Sequence, residues 1–173
     1  MVFVSGIHGV GKSFFCERVK ELLGIEYYSA SQLITARRHK GFSGNKLVPD
    51  IDDNQPLLIE ALRELRDSNK EFILDGHFCL LNAEGEITRI PSETYTLLKP
   101  DRMVLLTEEP SVIASRREVR DGVRQDLLEI ETFQREEKAY AEEIAASLKI
   151  PLIVSHGASD LQRIIEWIRS GGN

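Results

Sequence analysis

The chain has 173 residues, of which 42% are hydrophobic and 29% charged, and its formal net charge is −6. That balance suits one compact globular domain with its own core and excludes a disordered chain. The acidic sign argues against nucleic acid as a partner, no run of about 18 apolar residues offers a membrane span, and the two cysteines, Cys16 and Cys79, are expected as buried free thiols rather than a disulfide framework.

Val2, Phe3 and Val4 predict a short buried strand. This opening stretch has neither the charged region nor the long apolar core of a signal peptide, so a reducing cytoplasm is the expected setting. Gly6, four further residues, then Gly11, Lys12 and Ser13 fit the full spacing of a phosphate-binding loop. The glycines let the backbone wrap so that successive amides point inward, and the next helix adds its N-terminal dipole. The expected nucleotide contacts are Gly6, His8, Gly9, Val10, Gly11, Lys12, Ser13 and Phe14. Lys12 supplies a mobile charge for the β and γ phosphates, and Ser13 is a candidate ligand for Mg²⁺.

Phe15, Val19, Leu22 and Leu23 recur at helical spacing until Gly24 stops the helix. Residues 25–28 read as a second strand, 29–38 as a helix capped by Ser29, and 39–53 as a loop. Leu57, Leu58, Ala61, Leu62 and Leu65 mark another amphipathic helix. Phe72, Ile73 and Leu74 form a third strand that ends at Asp75, a carboxylate placed to hold Mg²⁺ through water beside the phosphate loop. Gly76 follows Asp75 where a water-positioning glutamate would favour hydrolysis, so transfer to an acceptor is the better reading.

Gly85 signals a turn, Met103 and its three apolar successors a fourth strand, and Pro110 the start of a helix. Arg116, Arg117, Arg120 and Arg124 are a basic cluster in an acidic chain. On a continuous helix Arg116, Arg120 and Arg124 share one face, where they would stabilise a moving phosphoryl group; Gly122 is a candidate hinge for a lid spanning about 112–130. Phe133, Tyr140, Ile144 and Leu148 line a long helix, and Leu152, Ile153 and Val154 a fifth strand. Ser159 and Gln162 form a capping-box pattern before a last helix, and residues 170–173 are expected to fray. His39, His77 and His156 have no metal-ligand spacing. Five apolar strands separated by helices predict a doubly wound five-stranded parallel sheet of the α/β class, with ligands outside the carboxyl ends of the strands.

With these segments in view, the chain resembles the P-loop nucleoside monophosphate kinase superfamily, closest to archaeal-type adenylate kinases and small bacterial adenylate-kinase-like ATP-binding proteins. The likeness rests on the phosphate loop, on Leu74-Asp75-Gly76-His77, on the stretch from Gly85 to Arg89-Ile90-Pro91, on Leu98-Lys99-Pro100-Asp101 and on the arginine cluster. It implies a single kinase-like domain over 1–173 with an acceptor-binding insertion at about 29–68 and a short helical lid. It implies that His156, Gly157 and Ala158 wrap the adenine ring, that Ser31, Arg37 and Gln55 hold the acceptor, and that Arg89 replaces an acceptor arginine absent from Gly76-His77-Phe78-Cys79. One lid arginine of the archaeal pattern falls on Gln125 or Asp126.

The leading expectation is an enzyme that moves the γ-phosphoryl group of ATP to an AMP-like nucleoside monophosphate, with ATP and Mg²⁺ required. Its catalytic residues would be Lys12, Asp75, Arg116, Arg120 and Arg124. Two alternatives remain open: a kinase for a small-metabolite or polynucleotide 5′-hydroxyl, with Asp75 as base, and a nucleotide-gated binding module with weak ATPase activity. Small-molecule nucleotides are the expected partners; the sequence identifies no protein partner.

Overall fold

The computed structural model describes residues 1–41, 51–67, 71–82 and 84–172. In chain order these form β1 (Val2–Ser5), α1 (Lys12–Leu23), β2 (Glu26–Ser29), α2 (Ala30–Gly41), α3 (Ile51–Arg66), β3 (Phe72–Asp75), β4 (Cys79–Leu81), β5 (Ile87–Arg89) and α4 (Ser92–Leu98). β6 (Arg102–Thr107), α5 (Pro110–Asp121), α6 (Leu127–Leu148), β7 (Leu152–His156) and α7 (Leu161–Arg169) complete the chain. The main sheet is parallel, five-stranded and ordered β2-β3-β1-β6-β7, as expected from the five apolar runs. Every residue of β1 is buried because helices cover both faces of a parallel sheet. Its neighbours are β3, with Val4 opposite Asp75, and β6, with Ser5 opposite Leu105. The loop leaving β1 therefore opens at the point where successive connections diverge to opposite sides of the sheet, the usual position of a ligand crevice.

Three local readings need correction. The helix expected over 29–38 runs to Gly41, with Ser29 in β2, and α3 starts at Ile51, so the loop expected over 39–53 is narrowed to 42–50, which lies outside the described residues. The hairpin of β4 and β5 was not read beyond its turn: its strands have three residues each, too few for a period, and Asn82 closes the turn by accepting from Glu84 N (3.1 Å) and Glu86 N (2.8 Å). The chain end expected to fray is hydrogen-bonded as far as Gly172, whose amide donates to Trp167 O (3.0 Å).

Beneath the hairpin an aromatic cluster supports the site. Phe78 meets Phe3 edge-on at 5.2 Å and stacks on Tyr95 at 4.8 Å, contacts worth about 0.5–1.5 kcal/mol each beyond burial. Tyr95 Oη donates to His77 O (2.8 Å) and Tyr140 Oη to Ile90 O (2.7 Å), so two buried phenols fix the backbone on either side of the hairpin.

Candidate active site: a phosphate cradle opening into an apolar cavity

The loop between β1 and α1 begins at Gly6, where φ is 141° and a Cβ would lie 2.6 Å from Leu106 O. No other residue fits, because the loop turns against the backbone end of β6. Gly11 caps α1 without a side-chain hydrogen bond, and the first turn carries no acid. The helix start is thus left with donors for an anion.

Lys12 is buried, 8% exposed, and its Nζ donates to Gly6 O (2.6 Å) and lies 2.9 Å from His77 Nε2. Burial lowers its pKa, and the nearby carboxylates of Asp75 and Glu137 oppose that shift. His77 is held well below its ordinary value by burial and then by Lys12 and His8, so its neutral ring accepts from the ammonium. The His8 ring lies against it, tilted by 47° with centroids 4.5 Å apart. Desolvation by the surrounding loop, then Lys12, Arg117 and Arg120, lower the His8 pKa to about 4, although the residue as a whole is exposed. Both imidazoles are neutral near pH 7, and neither adds charge to the cradle.

Asp75 ends β3 on the same wall. Its Oδ1 is buried with no hydrogen-bond partner, and burial raises its pKa against the pull of Lys12. An orphaned buried oxygen is costly unless something binds it. Among the described residues no cluster of three His, Cys, Asp or Glu could hold a metal unaided. Ser13 and Asp75 therefore fit a Mg²⁺ carried mainly by phosphate oxygens and water, the usual manner for that ion.

The arginines divide. Arg116 Nη1 donates to Val10 O (2.9 Å) and Gly9 O (3.3 Å), and its Nη2 pairs with Glu108 (3.2 Å). Arg120 lines the cavity and is bidentate on Asp121 (2.6 and 2.7 Å). Arg124 does not join them: α5 ends at Asp121, and Gly122, with φ 70°, reverses the chain before Arg124, so the three-arginine face is not formed. Arg117, which that periodicity passed over, donates from Nε to His8 O (2.8 Å) and keeps a buried, unpartnered Nη2 over the loop.

From the cradle one continuous cavity of about 790 Å³ runs inward. His8, Gly9, Gly11, Lys12, Ser13, Phe14, Asp75, Arg116 and Arg120 line its phosphate side; Ser31 and Gln55, from the expected acceptor set, line the far side with Ser29, Thr35, Asn54 and Thr94. Phe3, Ile34, Leu58, Ile90, Tyr95 and Leu98 give that side an apolar floor. Two expected acceptor arginines are elsewhere. Arg37 is tied to Glu60 (3.1 Å) and Glu64 on α3, and Arg89 to Glu143 (2.9 Å) while its guanidinium sits 4.7 Å over the Tyr140 ring. His156 ends β7 and Gly157 follows it, and neither lines the cavity, though Gly157 abuts Glu108, the partner of Arg116; Ala158 opens the next turn.

Two residues packed against the cradle escaped sequence reasoning. His77 has no metal-ligand spacing and so carries no sequence signal, yet it touches the phosphate-loop lysine. Glu137 is 1% exposed on α6 and accepts from Phe78 N (2.9 Å) and Cys79 N (2.6 Å). A glutamate on the apolar face of a helix was the signal that could have found it.

Comparison with known proteins agrees with this geometry. The model of the AAA domain family AAA_17 matches residues 5–134. No curated protein matches the chain. Solved structures similar over nearly the whole chain include a gluconokinase from Sinorhizobium meliloti 1021, at 20% identity and TM-score 0.56, covering 98% of this chain and 89% of that one. A sugar kinase from Janibacter sp. HTCC2649 is similar at 18% identity and TM-score 0.59, covering 99% and 95%. An uncharacterized protein from Eubacterium ventriosum ATCC 27560 is similar at 13% identity and TM-score 0.55, covering 98% of each. At these identities the likeness establishes the kinase-like α/β fold. Among the described residues, no helix is long and apolar enough to cross a membrane.

Proposed function

The chain belongs to the AAA domain family AAA_17, and from that premise we propose that it is an ATP-dependent phosphotransferase whose acceptor is a small molecule bearing a hydroxyl group. One observation carries this reading: a phosphate cradle and an apolar, hydroxyl-lined hollow form a single cavity, with the unpaired Asp75 oxygen on its wall. The loop amides hold the nucleotide phosphates, and Lys12 exchanges Gly6 O and His77 for phosphate oxygens. Arg116, Arg117 and Arg120 stand where negative charge spreads over the moving group. Ser13 and Asp75 are the residues that would hold Mg²⁺, which neutralises phosphate charge. Asp75, which would reach Mg²⁺ through water and keeps an unpartnered oxygen, takes the proton of the acceptor hydroxyl; general-base catalysis contributes about 10²–10⁴-fold.

The narrower reading, an adenylate-kinase-like enzyme acting on a nucleoside monophosphate, needs a cation for the acceptor phosphate. Arg37 and Arg89, the candidates for that part, are engaged outside the cavity. The two named structural neighbours, a gluconokinase and a sugar kinase, also favour a metabolite acceptor. The test is ADP release from Mg-ATP with sugars, sugar acids, nucleosides and nucleoside monophosphates offered separately. Turnover with a hydroxyl compound that bears no phosphate supports the proposal; turnover with monophosphates alone overturns it.

A further inference from the structure

We propose that Glu137 is a positioning residue: one buried carboxylate that ties the start of the phosphate loop to the segment following Asp75. It lies in the interior on α6, far along the chain from both. Its Oε1 accepts from Phe78 N (2.9 Å), and its Oε2 from Phe78 N (3.1 Å) and Cys79 N (2.6 Å). The Gly6 amide also faces it and favours its anion. Those amides bracket the chemistry. Gly6 opens the cradle and offers its carbonyl to Lys12, while Phe78 follows His77, the other partner of Lys12. A carboxylate held by two amides of one wall and facing the Gly6 amide of the other links the two walls, and it is a buried counter-charge for Lys12.

This arrangement works best with the anion, since a protonated carboxyl would turn one acceptor toward N–H donors as an O–H. The groups facing Glu137 are Lys12 from α1, Cys79 from β4 and Tyr95 from α4. Burial raises its pKa to about 7, and the Phe78, Cys79 and Gly6 amides and Lys12 restrain that rise. The folded-state value exceeds the ordinary 4.5, so the folding stability from this group is complete below 4.5 and is lost as pH rises through about 7. Ionisation thus weakens the fold while completing the site.

The experiment follows the Phe78 and Cys79 amide resonances of the full chain by ¹⁵N-correlated NMR from pH 5.5 to 8.5, in wild type and in Glu137→Gln. The expected result is a shared midpoint near pH 7 in wild type that vanishes in the variant. Turnover, which rests on the kinase reading, should fall in kcat by roughly 100-fold in Glu137→Gln, the cost of displacing a catalytic group by about 1 Å, with a smaller change in Mg-ATP affinity. Glu137→Asp, which keeps the charge, should recover part of that loss. Should the glutamine variant fail to fold, Glu137→Asp is compared with wild type in the same way. Phe78 and Cys79 amide shifts that are the same in wild type and in Glu137→Gln, or a folded Glu137→Gln with unchanged kcat, would overturn the proposal. Amides that titrate as expected in a chain with no turnover would support the tie and count only against the kinase reading.

Discussion

Asp75 and Arg37 illustrate how burial and pairing separate a reactive side chain from a structural one. Asp75 has an unpartnered oxygen on the cavity wall, whereas Arg37 is occupied by two glutamates. Asp75→Asn is therefore expected to lower kcat by about 10²–10⁴-fold while Mg-ATP still binds, as read by steady-state kinetics beside calorimetry. In wild type the rate should fall as pH drops through the raised Asp75 pKa, because the base is lost on protonation; the asparagine variant should lack that limb. Arg37→Ala should leave turnover unchanged and cost about 0–1 kcal/mol in denaturant unfolding, since its partners are largely exposed. The phosphate loop was legible because backbone wrapping demands glycine at fixed places. The acceptor arginines were misplaced because a sequence does not say which glutamate on α3 or α6 will claim a guanidinium.

At the level of elements, legibility followed burial. The central strands β1, β3 and β6 read clearly because both faces are covered and their runs are almost continuously apolar. β4, β5 and α4 are three to seven residues long, too short for a period to emerge. The arginine segment shows the opposite error, a period extended through a break. Gly122 ends α5 in the left-handed region, its amide donating to Glu118 O (2.8 Å). Replacing Gly122 by alanine should destabilise the chain by about 1 kcal/mol in chemical unfolding, because the conformation strains an L side chain. A stability equal to that of wild type would show that α5 does not end there.

For the molecule as a whole, the site is an assembly of distant segments. The loop after β1, the end of β3, α2, α3, α4 and α5 meet around one cavity only once the parallel sheet has formed. A chain of net charge −6 gathers Lys12, Arg116, Arg117 and Arg120 at the mouth of that cavity, a local positive field in an acidic protein. Everything proposed for this chain requires the cradle to hold polyphosphate. The direct measurement is calorimetric titration of Mg-ATP into wild type and into Lys12→Ala. Uptake at one site in wild type, weakened by at least about tenfold in the variant, is expected from the loss of a buried charge-assisted contact. No uptake by the folded wild type, or equal affinity in the two proteins, would contradict it.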